Sequence, residues 1–285
     1  MEVGGLMISR RALLAGLAAA LPSAAAKPSI GLQTYSLRYD LKKDFPGTIA
    51  LMRRMGFREL EVSNWPDHSA REYRRLLDDN GLRAVSMMTP YESLDKSLDT
   101  VAEDAHALGA RFVVCSTLPH KAHMTVEEAR HGADFLNHRG EALAKAGLNL
   151  CYHIHGTEFH PSPEGTVFDT LMQSVEERFA NFEMDIYWVV YGGQDPVTLL
   201  HRYPGRFPLT HIKDIKPGMK LGGLPRDVRE DESVVLGTGL VDIPAALQAS
   251  AETGVQQHFI EDEAVDASEQ IPKSLAYLES IGWAK

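Results

Sequence analysis

Short apolar runs alternate with amphipathic stretches eight times from residue 30 to the end of the chain. The runs predict strands at 30–35, 59–62, 83–87, 112–115, 148–153, 181–185, 208–212 and 257–261. The segments between them carry hydrophobic residues at helical spacing. Ser69-Ala70-Arg71-Glu72 reads as a capping box ahead of Tyr73, Leu76 and Leu77, and Thr125-Val126-Glu127-Glu128 opens a helix that runs to Ala146. Asp195-Pro196 supplies a cap and a first-turn proline to another helix. Gly56, Gly81, Gly109, Gly147 and Gly254 each follow a predicted helix and precede a predicted strand, where a left-handed residue ends a helix. The unit recurs roughly every 25 to 40 residues, the length of a βα repeat.

Eight such units predict a single (β/α)8 TIM barrel over residues 27–285. The alternative, an open doubly wound sheet, usually places a glycine-rich phosphate turn after its first strand. Here that position reads Tyr35-Ser36-Leu37-Arg38-Tyr39-Asp40, with no glycine pair. The longest irregular piece, 216–238, is charged and rich in Pro and Gly, and is expected to be the loop after the seventh strand, on the catalytic face.

Residues 1–26 stand outside this pattern. Ser9-Arg10-Arg11-Ala12-Leu13-Leu14 leads into an Ala/Leu run and then Pro22-Ser23-Ala24-Ala25-Ala26. A charged start, a short apolar stretch and an A-x-A site predict a cleaved signal peptide rather than a spanning helix. The arginine pair resembles the twin-arginine type, so the expected location is periplasmic, with no stable membrane insertion after cleavage. Losing Glu2, Arg10 and Arg11 would take the formal charge from −10 to −11. That sign argues against nucleic acid as a partner. Two cysteines, Cys115 and Cys151, are too few for a disulfide framework or a four-cysteine zinc site. They fall in predicted core strands.

In a barrel of this kind the carboxyl ends of the strands make one face, where chemistry sits. Strand five runs into Tyr152-His153-Ile154-His155-Gly156-Thr157-Glu158-Phe159, strand six into Glu183-Met184-Asp185, strand seven into His211-Ile212-Lys213-Asp214, and strand eight into Glu261-Asp262-Glu263. Each of these residues alone reads as an ordinary rim or core polar group. Gathered on one rim, the carboxylates need a cation to offset their mutual repulsion and desolvation. Carboxylates with an imidazole suit one divalent metal ion: Mn²⁺ first, with Mg²⁺, Co²⁺ or Zn²⁺ as alternatives.

At these residues the chain resembles the xylose-isomerase-like sugar isomerase/epimerase superfamily, which includes endonuclease-IV-like enzymes, inosose dehydratases and ketose 3-epimerases. The resemblance runs from Gly31-Leu32-Gln33-Thr34-Tyr35-Ser36-Leu37-Arg38 to Phe259-Ile260-Glu261. It includes Gly56-Phe57-Arg58-Glu59-Leu60-Glu61, the 152–159 motif, Asp185-Ile186-Tyr187-Trp188 with Gly192-Gly193-Gln194-Asp195-Pro196, His211-Ile212-Lys213-Asp214, and Leu236-Gly237-Thr238-Gly239-Leu240-Val241-Asp242. It implies a metal set of Glu158, Asp185, His211 and Glu261, with Glu158 and Glu261 doubling as acid and base. Trp188 and Pro217 stand where the epimerases carry a substrate-contacting histidine and arginine, which argues against the same free ketose in the same pose.

Moving a proton beside a carbonyl needs a stabilised enediolate, a base and an acid. Glu158 and Glu261 suit the two proton-transfer roles. His153 and His155, two apart on one strand face, could supply a second base or hold a hydroxyl. Lys213 could bind substrate or pair with Asp214, and Trp188, Trp65 and Tyr35 could wall a sugar pocket. The leading expectation is therefore a metal-dependent sugar or polyol isomerase or epimerase. The alternatives are a lyase or dehydratase on a 3-keto sugar or inosose, and a non-catalytic sugar-binding barrel. The expected partner is a small sugar or polyol, and a homo-oligomer is compatible with the sequence.

Overall fold

A computed structural model describes Met1 and residues 29–63, 68–163, 165–224 and 228–284. The signal segment and Trp65 therefore lie outside the described residues. Eight parallel strands close a barrel in sequential order: β1 (Ser29–Gln33), β2 (Glu59–Val62), β3 (Arg83–Thr89), β4 (Phe112–Cys115), β5 (Asn149–His153), β6 (Ala180–Asp185), β7 (Leu209–Ile212) and β8 (Gln257–Ile260). Closure is made by β1 against β8, with Gly31 opposite Phe259. Helices follow each strand, so this is a (β/α)8 barrel, and the eight predicted strands all form within a few residues of their expected limits. The first stops earlier than expected, because residues Thr34–Leu37 turn into a short 3-10 helix.

The helix punctuation is physical. Ser69 and Thr125 each accept from the backbone N–H three residues on, and Glu72 and Glu128 reach back to the cap. Gly109 and Gly254 close their helices at φ +77° and +94°, in the left-handed region. The long loop is tied down by a two-residue ribbon, Asp214–Ile215 with Ser233–Val234. Among the described residues, no helix is long and apolar enough to cross a membrane.

Strand alternation decides what fills the lumen. Val85, Phe112, Val114, Cys151, Leu209 and Phe259 form an apolar plug, separate from the larger core between barrel and helices. Gly31 makes room for it, since a Cβ there would lie 2.7 Å from the Phe259 ring. Two residues further along their strands, on the same inner face, come His153 after Cys151, His211 after Leu209 and Glu261 after Phe259. The apolar plug is thus the floor on which the polar residues stand.

Candidate metal centre and active site

Four side chains converge above the plug. One ligand atom from each of His153, Asp185, His211 and Glu261 lies within 4.8 Å of the others, and all four residues are buried. Nε2 of His153 lies 3.9 Å from Oδ2 of Asp185, and Nδ1 of His211 lies 3.9 Å from that oxygen and 3.4 Å from Oε2 of Glu261. Asp185 is fixed by the helix Ile186–Tyr191: its Oδ1 accepts from the N–H groups of Tyr187 at 2.8 Å and Trp188 at 3.2 Å. Its Oδ2 is left buried with no hydrogen-bond partner, as is Nδ1 of His211. Two such atoms aimed at one point are costly unless something between them is bound.

A second, lower layer underlies the first. Glu61 from β2 accepts from Gln33 Nε2, from Ser86 Oγ and, at 2.8 Å, from His211 Nε2. Glu183 from β6 has its Oε2 3.0 Å from His153 Nδ1 and 3.3 Å from His211 Nε2. Both glutamates are buried.

The electrostatics follow from crowding in a dry place. Burial raises the Glu183 carboxyl well above its usual range, and nearby Glu61 adds to the rise. Burial, helped by the Glu261 charge, brings Asp185 up to about 7 against the pull of Lys213 and His211. At Glu261 burial is outweighed by the Lys213 ammonium and by His211, which hold its carboxyl well below the ordinary value. His211 goes the other way from its neighbour: Glu183 and Glu261 overcome desolvation and raise it, whereas burial, His211 and His155 lower His153. Without an ion these carboxylates favour the protonated form of His211, and an ion at its Nδ1 would take the place of that proton. A donor set of carboxylate oxygens and imidazole nitrogens with unpartnered buried atoms fits a divalent metal ion.

The expected ligand set took Glu158 from strand five. The structure brings His153 into the group instead. Glu158 follows the strand in the turn Thr157–Phe159 and folds outside the barrel wall, where it accepts from the Tyr152 hydroxyl and the His155 N–H. Tyr152 neighbours His153 on the strand and points the opposite way, against Phe182. His155 sits at the rim with its ring 4.6 Å from that of His153 and 5.9 Å from Trp188. Its Nδ1 has no partner, and burial brings its pKa down to about 4.

Lys213 is buried, and its Nζ lies 2.8 Å from Glu263 and 3.6 Å from Glu261 rather than on Asp214, the ion pair expected as the alternative to substrate binding. Trp188 and Tyr187 lie under that ammonium. Tyr35 stands at the edge, stacked on Arg38, its hydroxyl raised by burial and by the Glu263 and Glu261 charges. A cavity of about 1150 Å³ opens on this side of the mouth, lined by Tyr35, Arg38, Ser63, His68 and Met88 among others. Sequence reasoning assigns Glu61 and Glu183 no role. Their signal was position: an acidic residue on an inward-facing strand site.

Residues 49–285 match the family model of the xylose isomerase-like TIM barrel. The chain belongs to this family. An inosose dehydratase of Clostridium botulinum (strain Alaska E43 / Type E3) is 28% identical over 247 residues, covering 76% of this chain and 82% of the relative. An inosose dehydratase of Lacticaseibacillus casei is 24% identical over 259 residues, covering 80% and 85%. The solved structure of a sugar phosphate isomerase/epimerase from Parabacteroides distasonis ATCC 8503 superposes with a TM-score of 0.73 at 26% identity, over 93% of this chain and 100% of that one. These family relatives make the protein an enzyme. They also correct the leading expectation of an isomerase or epimerase. The broad description of the Parabacteroides protein names no single reaction, whereas the curated relatives are dehydratases, the class expected as the alternative.

Proposed function

We propose that this protein is a metal-dependent lyase that eliminates a β-leaving group, water or an alcohol, from an unphosphorylated cyclic keto polyol or keto sugar. The observation that carries the reading is the convergence of His153, Asp185, His211 and Glu261, with two buried, unpartnered donor atoms, in a chain whose curated relatives are inosose dehydratases. When bound there, a divalent ion supplies electrophilic polarisation of a substrate carbonyl.

The chain's own groups divide the remaining work. His155 is neutral at neutral pH and presents a free Nδ1 at the rim, so it can take the proton next to the carbonyl. Lys213 keeps its charge, because Glu263 and Glu261 outweigh its desolvation, so it holds negative charge on a substrate oxygen rather than donating a proton. Glu158 and its Tyr152 partner fix the backbone of His155. Trp188 closes the pocket beside His155 and Lys213.

The test is incubation of metal-loaded protein with an inosose and with 3-keto glucosides. Elimination yields a conjugated enone, visible in the ultraviolet, and a product lighter by water or an alcohol. A product of unchanged mass would overturn the lyase reading. We further propose export through the twin-arginine route, supported by the Arg10-Arg11 motif. Replacing both arginines by lysine should leave folded precursor in the cytoplasm, and normal export of that variant would refute it.

A further inference from the structure

Both histidines of the four-residue group use only one ring nitrogen there. The other nitrogen of each points down into the lower layer. His153 turns Nδ1 to Oε2 of Glu183 at 3.0 Å, leaving Nε2 for the upper group. His211 turns Nε2 to Oε1 of Glu61 at 2.8 Å and Oε2 of Glu183 at 3.3 Å, leaving Nδ1 for the upper group. The two rings therefore present opposite nitrogens upward, which neither strand geometry nor the metal-binding atoms alone dictate. A carboxylate that accepts from one ring nitrogen fixes the proton there and keeps the other nitrogen's lone pair free for a ligand.

The lower layer is itself held. Gln33 and Ser86 donate to the two oxygens of Glu61. Gln33 is in turn braced by Ser63 and the Tyr35 N–H, both donating to its Oε1. Residues from β1, β2, β3 and β6 thus orient two histidines on β5 and β7. Glu61, Glu183 and His211 could also be taken as a second, deeper cation site, since one atom of each lies within 4.8 Å of the others. Against that, both oxygens of Glu61 and the shared nitrogen of His211 already have hydrogen-bond partners; only Oε1 of Glu183 lacks one.

We propose that Glu61 and Glu183 are positioning residues that hold His153 and His211 in opposite tautomers, so that the upper group is set for an ion before the ion arrives. This rests on the metal reading above. It assigns the pair no contact with substrate.

The experiment measures metal affinity, stoichiometry and tautomer, not turnover. Wild type, Glu183→Gln, Glu183→Leu and Glu61→Gln are stripped with chelator, checked for folding by circular dichroism, and titrated with Zn²⁺ or Mn²⁺ against a chromogenic competitor. Glu183→Leu should bind one ion about 10- to 100-fold more weakly, the usual cost of losing a partner behind a metal-bound histidine. Glu183→Gln keeps a carbonyl oxygen that can accept from His153, so it should recover part of the loss even if the leucine variant folds poorly. In metal-free wild type, at a pH high enough to leave both imidazoles neutral, long-range ¹H–¹⁵N spectra should show His153 protonated at Nδ1 and His211 at Nε2, with the His153 assignment lost in Glu183→Leu. Wild-type affinity in folded Glu183 variants, or the opposite tautomers in wild type, would overturn the inference and leave the metal site standing. Two ions per chain, one of them lost in Glu183→Leu, would overturn it in favour of a deeper cation site. No binding by wild type would instead remove the metal reading on which it rests.

Discussion

Nζ of Lys213 lies 2.8 Å from Oε1 of Glu263, buried at the barrel mouth with the Tyr187 and Trp188 rings 4.8 and 5.2 Å away. A buried ammonium held by carboxylates and aromatic faces is a fixed charge, kept cationic across the working pH range. Its second neighbour, Glu261 at 3.6 Å, belongs to the candidate metal group. The lysine therefore stands where substrate oxygens would meet that group.

Lys213→Met keeps most of the stem volume and removes the charge. It should lower kcat by about 10²–10³, the range for deleting one oxyanion-stabilising donor. Metal content, measured by atomic absorption, should remain at the wild-type ratio. A parallel loss of metal would assign the lysine a structural role in the centre instead.

A second prediction separates the two candidate ligand sets. His153→Ala removes a member of the converging group and should weaken metal binding by at least the roughly 10- to 100-fold that an outer partner costs. Glu158→Gln should leave affinity near wild type, because its carboxyl accepts from Tyr152 and from the His155 N–H rather than facing the group. Competition titration of both variants checks this. The reverse order would restore the set that the family resemblance implies.

That prediction also marks where the sequence stops being informative. The barrel was legible because burial imposes a period, and because capping boxes at Ser69 and Thr125 and the glycines at 109 and 254 punctuate each helix chemically. Asp185, His211 and Glu261 were legible because strand ends share one rim. Glu158 and His153 could not be told apart that way. His153 is the last residue of its strand, so alternation fixes its direction, whereas Glu158 lies five residues on, past a left-handed Gly156 at φ +82°. No periodicity survives that turn. Glu61 and Glu183 were hidden for another reason: a buried acid inside a strand gains meaning only from the partner opposite it, and their strands are four apart around the barrel.

His258, on the outward face of β8 with its ring against Trp283, gives a pH prediction. It is buried beside the Thr210 hydroxyl, and desolvation brings its pKa down to about 3. An unfolded histidine titrates near about 6.5. Between these values the unfolded chain holds a proton that the native chain lacks, so stability falls as pH falls, by up to about 1.4 kcal/mol per pH unit. Urea unfolding in chelator at pH 7, 6 and 5 should show a shallower decline for His258→Gln than for wild type. His153 and His155 titrate in both proteins and cancel in the difference. Parallel curves would mean that His258 gains a compensating partner on protonation.

Asp214 follows Lys213 directly and does something different with its charge. Its Oδ1 accepts from the N–H groups of Ile215 at 2.8 Å and Val241 at 3.0 Å, and its Oδ2 from Gly237 at 3.0 Å and Gly239 at 2.8 Å. The carboxylate is fully buried, and the 236–242 segment wraps around it. A Cβ at residue 239 would lie 2.2 Å from Oδ1 of Asp214 and 2.3 Å from the Ile215 carbonyl oxygen, so only glycine lets the loop approach this closely. The 211–214 and 236–242 stretches, separate in sequence, are thus one hydrogen-bonded unit. Asp214→Asn keeps the volume and turns an amide NH2 toward two backbone donors. Each orphaned donor costs about 1–3 kcal/mol. At about 2–4 °C per kcal/mol for a chain of this size, Tm should fall by roughly 4–24 °C. Metal affinity at low temperature should stay near wild type, since no member of the four-residue group contacts this carboxylate. Scanning calorimetry and a chelator titration at 10 °C on the same preparation check both halves. An unchanged Tm with lost metal would move Asp214 out of the loop's scaffold and into the centre itself.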